Sequence, residues 1–134
     1  MSSLENKKRQ FLTASAGCAL ALLISSFQPG SMTSKWLPSE LLHSIAHVVA
    51  YTVMGYFLAF YLRFERKFAK VRMTDWKLVL FTMTLCLAWG GLNEWVQLYQ
   101  PGRVADWKDF ALDALGAAIG LSAFFFKDKI TRCR

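Results

Sequence analysis

The chain has 134 residues, 54% of them hydrophobic and 15% aromatic, and a formal net charge of +7. The length suits a single domain, 1–134, but the charges leave four long stretches nearly untouched, whereas a soluble domain needs a solvated face on every element. That excludes a soluble enzyme with its own catalytic domain, and it excludes a basic nucleic-acid binder, so any chemistry belongs in or at a membrane.

A helix crosses ~30 Å of hydrocarbon with about 20 apolar residues at 1.5 Å each. The sequence predicts an all-α, polytopic membrane protein with four transmembrane helices. The first span, about 11–28, follows Lys7-Lys8-Arg9 and holds the charge-free run Phe11–Phe27. It is expected to be retained: no small-x-small cleavage site follows it, and the apolar run lies mostly after Cys18, unlike a lipoprotein signal. The second span, about 41–62, has no charge beyond two histidines. The third, about 78–99, contains the charge-free run Leu78–Asn93. The fourth, about 107–126, holds only Asp113 beyond its entry. Pro29, Pro38 and Pro101 fall between spans, where a missing amide donor costs least.

Basic residues set the orientation. The N-terminal tail, the loop after span 2 and the C-terminal tail hold 13 of the 16 Lys and Arg; the other two loops hold Lys35, Arg103 and Lys108. The positive-inside bias therefore places both termini in the cytoplasm. Cys18, Cys86 and Cys133 have no partner at metal-motif spacing and read as packing residues and a tail thiol. No cofactor motif, phosphate loop or nucleophile elbow is present.

Ionisable groups inside spans are costly and usually face a bundle interior or a wet cavity. Span 2 carries His43, His47 and Tyr51 at i, i+4 and i+8, one helical face continued by Gly55. Span 3 ends with Asn93, Glu94 and Gln97. Span 4 opens with Asp106, Asp109 and Asp113, a stripe continued by Gly116 and Gly120. From the span ends, His47, Glu94 and Asp113 lie roughly 9, 7.5 and 6 Å deep on the outer side. The three helices thus bring polar groups to one layer, roofed by the Gln100-Pro101-Gly102-Arg103 turn. The candidate ligand-binding residues are His47, Tyr51, Glu94, Gln97, Arg103, Asp109 and Asp113. Arg103 is expected to hold an anionic group.

Plainer roles compete. Asp106 or Asp109 suits a helix cap. Gly116-x-x-x-Gly120 fits helix packing. Trp36, Trp95, Tyr99 and Trp107 suit an interfacial belt. Glu94 with His47 reads equally as a satisfied structural pair. A metal alternative takes His43-x-x-x-His47 as two imidazoles on one face, completed by Glu94 or Asp113.

Together these residues resemble the VanZ-like family of small bacterial membrane proteins. The resemblance rests on Ser-Phe-Gln-Pro-Gly (26–30), on His47-Val-Val-Ala-Tyr51 with Gly55, and on a longer block. That block is Asn93-Glu94-x-x-Gln97, Pro101-Gly102-Arg103, Asp109, Gly116 and Gly120. It departs from the family's pattern at His43 and Ser44, where an Asp-Lys pair is usual, and at Asp113, often Asn. The family is named for a teicoplanin-resistance protein, so the resemblance implies a multi-pass envelope protein of the bacterial inner membrane with a link to glycopeptide resistance. It supplies no reaction, and the leading expectation is a non-enzymatic one. In it an outer-side polar pocket binds a membrane lipid headgroup, a cell-wall precursor or a glycopeptide. The alternatives are a metal-dependent hydrolase or transferase acting on a lipid-linked substrate, using His43, His47 and Glu94, and a subunit of a homo-oligomer or larger membrane complex. A proton relay through His47, Glu94 and Asp113 would also need an oligomer, since the chain shows no internal repeat.

Overall fold

The computed structural model describes residues 3–27, 40–68, 74–102 and 106–132. They form four helices: α1 (Ser3–Ser26), α2 (Glu40–Phe68), α3 (Asp75–Gln97) and α4 (Trp107–Arg132). No strand occurs among the described residues. The helices run past the expected spans. α1 begins eight residues early, α2 continues through Arg63, and α4 runs on past Lys127. Charge ends an apolar span but not a helix, because Lys, Arg and Glu are good helix formers.

α2, α3 and α4 each contain a segment long and apolar enough to cross a membrane: Leu41–Glu65, Asp75–Gln97 and Trp107–Thr131. α1, at 24 residues, has the length, but Thr13, Ser15, Gly17, Ser25 and Ser26 dilute its apolar run, and it falls outside that group. The outward surface is accordingly apolar: Leu80, Leu115 and Ile119, for example, are exposed.

Contacts fix the directions. His43 meets Asp109, Thr52 meets Gly116, and Arg63 meets Asp128, so α2 and α4 run parallel. Tyr51 meets Asn93 and Arg63 meets Asp75, so α3 is antiparallel to both. Phe11 stacks on Phe60, and Cys18 packs against the cluster of Tyr51 and Met54, so α1 is antiparallel to α2. The topology is up-down-up-down.

α2 packs more extensively on α4 than any other pair does. Gly116 and Gly120 are the reason. A Cβ on Gly116 would meet Val48 O and Tyr51 Cβ, and one on Gly120 would run into Thr52 O and Tyr56 N. Gly55 answers from α2, set against the Ala117 backbone. The glycine stripe therefore serves packing inside the bundle. In lipid, close backbone approach and interhelical hydrogen bonds drive such association, since the tails are as apolar as the core. Thr52 adds one such bond, its hydroxyl donating to Gly116 O at 3.1 Å. Trp89 adds another, its Nε1–H donating to Ala19 O of α1 at 3.1 Å.

Along the bundle the interior changes character. Ala59, Leu62, Leu78, Leu121 and Phe124 fill the end near Arg63. Tyr51, Met54, Cys86 and Ala117 fill the middle. Beyond Tyr51 the buried residues are polar: His47, Asn93, Glu94, Gln97 and Asp113.

Candidate functional site

This polar end is assembled by matched periods. His43 and His47 stand one turn apart on α2, and Asp109 and Asp113 stand one turn apart on α4. Because the helices are parallel, the two pairs align as rungs. His43 Nε2 lies 3.3 Å from Asp109 Oδ2, and His47 Nδ1 is hydrogen-bonded to Asp113 Oδ1 at 2.7 Å. The outer rung is partly open, with side chains 25% and 14% exposed; the inner rung is sealed, at 8% and 0%. A buried charge without a partner costs several kcal/mol, roughly, so the sealed rung requires this pairing. The imidazoles lie edge-on, 4.8 Å apart, and the ring of His47 is nearly parallel to that of Tyr51.

α3 closes the layer. Asn93 Nδ2–H donates to Tyr51 Oη at 3.0 Å. Gly90 makes the space: a Cβ there would lie 2.8 Å from Asp113 Oδ2 and 3.4 Å from Tyr51 Oη. Glu94 turns elsewhere. Its Oε2 accepts the backbone N–H of Asp106 at 3.0 Å, so a carboxylate of α3 holds the start of α4, where the helix dipole favours negative charge. Asp106 in turn caps its own helix, accepting Lys108 N–H at 2.9 Å. Gln97 is buried in the same layer.

The acceptor capacity is not used up. Asn93 Oδ1 and Glu94 Oε1 are buried without a hydrogen-bond partner. Buried polar atoms are normally satisfied, and exceptions often mark unfilled sites. Glu94 also lines a cleft of about 440 Å³ between α3 and α4, walled by Gly91, Trp95, Leu98, Trp107 and Phe110, with Asp106 at its edge. The layer can accept hydrogen bonds from a ligand, and the cleft offers that ligand apolar walls.

The expected site residues meet different fates. The structure brings His47, Tyr51 and Asp113 into one network and sets Asp109 beside His43. Glu94 shares the layer but bonds to the α4 N-terminus, not to His47. Arg103 lies outside the described residues, just after Gly102, whose φ of 75° suits the turn leaving α3. For a metal, one ligand atom from each of His43, His47 and Asp109 lies within 4.8 Å of the others. Asp109 thus stands where Glu94 was expected, because the Glu94 carboxylate is drawn to the Asp106 amide. Gly90 and Asn93 were not among the expected site residues. A glycine pair, Gly90-Gly91, within an apolar span was the available signal for Gly90. Trp95 and Trp107, read as belt residues, also wall the cleft.

With this geometry in place, comparison with known proteins identifies the lineage. A family model described as VanZ/LLP1 matches residues 3–128, and the chain belongs to that family. No curated protein and no solved structure matches it.

Proposed function

From this membership of the VanZ/LLP1 family, we propose that the protein is a ligand-binding component of the bacterial cell envelope. It crosses the cytoplasmic membrane four times, with both termini inside. Its polar layer, on the outer side, binds a lipid headgroup, a cell-wall precursor or a glycopeptide, and so bears on teicoplanin tolerance. The observation that carries this reading is the apolar cleft lined by Glu94, Trp95 and Trp107, together with the Oε1 of Glu94, which is buried and has no hydrogen-bond partner. An apolar cleft with one convergent polar group is the usual form of a small-molecule site. Glu94 and Asp109 would accept hydrogen bonds from a sugar or peptide, and Arg103 would hold an anionic group of the same ligand.

Glu94→Gln keeps size and one acceptor but replaces the other oxygen with a donor. In a teicoplanin-sensitive host, the wild type is expected to raise the inhibitory concentration, and E94Q to lower it toward that of the empty vector at equal membrane abundance. Equal tolerance with and without the wild-type protein would remove the resistance reading.

A further inference from the structure

The rungs of α2 and α4 sit apart from the cleft and raise a separate question. Four carboxylates crowd this end of the bundle. Asp106 precedes α4, Asp109 and Asp113 come from it, and Glu94 comes from α3; α2 faces them with His43 and His47.

The donor set suits one kind of cation. Two imidazoles and a carboxylate favour zinc-class transition ions over magnesium or calcium, which prefer all-oxygen shells. Ligand atoms about a tetrahedral zinc, at 2.0–2.2 Å from it, stand roughly 3.5 Å apart. The His43–Asp109 edge is already 3.3 Å. All three atoms lie within 4.8 Å, so the longest edge closes by about 1.3 Å at most, within the reach of side-chain torsions. A second observation is independent of these distances. Asp113 engages His47 through Nδ1, which leaves Nε2 as the nitrogen for an ion. A buried carboxylate bonded to the far nitrogen of a histidine is the usual support behind a metal-ligating imidazole.

We propose that His43, His47 and Asp109 form a divalent transition-metal site of the zinc class between α2 and α4, with Asp113 orienting His47. Three protein ligands leave a fourth position for water or a ligand atom, as catalytic zinc sites do. None of the three ligands lines the cleft, and Asp109 is the residue this site shares with the proposed ligand-binding set.

The test uses the full chain, purified in detergent through a tag without histidines and stripped with chelator. Cobalt(II) is titrated first, because tetrahedral cobalt absorbs strongly in the visible; zinc stoichiometry and affinity follow by elemental analysis and calorimetry. The expected result is one ion per chain, with the cobalt band abolished in His43→Ala and Asp109→Ala. In Asp113→Asn, affinity should fall about ten- to hundredfold with stoichiometry kept. Asp75→Asn, at the opposite end, should bind like the wild type. A wild-type protein that takes up no stoichiometric cobalt or zinc overturns the proposal, and this reading needs no variant to fold. Wild-type binding that survives both His43→Ala and Asp109→Ala overturns it equally.

Discussion

A carboxylate inside a helix bundle needs both a partner and room, and Asp113 obtains them from different helices. His47 supplies the bond, and the bare Cα of Gly90 supplies the room. Gly90→Ala would push a methyl to 2.8 Å from Oδ2, so the carboxylate must shift and its 2.7 Å bond to His47 must lengthen. The expected loss is about 1–3 kcal/mol, the usual cost of overpacking, measured as reduced unfolding stability in mixed micelles. Gly91→Ala is the control. Its Cβ would meet only Phe110 Cε2, at 4.0 Å, and removing a helical glycine stabilises by roughly 0.5–1 kcal/mol. Equal effects at 90 and 91 would show that space beside Asp113 is not what Gly90 provides.

At the scale of elements, the parallel pair α2–α4 determines everything near the polar end. Two helices of the same period and direction keep their i, i+4 stripes aligned, which is why His43 and His47 meet Asp109 and Asp113 in order. That alignment depends on the close approach a turn or two further along, where Gly120 abuts the backbone of Thr52 and Tyr56. Backbone cannot rotate aside as a side chain can. Gly120→Ala should therefore force the helices apart and destabilise by about 1–3 kcal/mol or more. Gly17→Ala on α1, where nothing lies within 4 Å, should not. Thermal denaturation in one detergent compares the two; an unaffected G120A would mean that α2 and α4 are not held at this separation.

For the whole molecule, charge and packing divide the bundle into two ends. At the end opposite the polar layer, Arg63 bridges Asp75 of α3 at 2.8 Å and Asp128 of α4 at 2.7 Å. Lys127 lies over the rings of Tyr56 and Phe60 and donates to Tyr56 Oη. The up-down-up-down topology puts the ends of α1 and α3 beside the starts of α2 and α4, so every helix has its lysine- and arginine-rich flank at the Arg63 end. If the positive-inside bias governs, alkaline phosphatase fused after Gly102 will be active and fused after Phe68 inactive. Fluorescent-protein fusions should show the opposite pattern. Activity at both junctions would break the four-span, both-termini-inside arrangement.

The sequence by itself determined what is set by local composition. Charge-free stretches marked the apolar segments of α2, α3 and α4, and the i, i+4 spacing of His43, His47 and Tyr51 marked one face of α2. The residue pattern of 93–120 pointed to the family. Helix ends were not legible, because basic flanks extend a helix as readily as they end a span. Partners were not legible either. A depth estimate places His47, Glu94 and Asp113 in one layer but cannot say which carboxylate faces the imidazole. That depends on the rotation of α4 against α2, which the backbone contacts of Gly55, Gly116 and Gly120 set, and of α3 against both, where Gly90 fits beside Asp113 and Tyr51. Tertiary packing therefore decided that Asp113 binds His47, that Asp109 stands beside His43, and that Glu94 holds the start of α4 while its other oxygen stays buried without a partner.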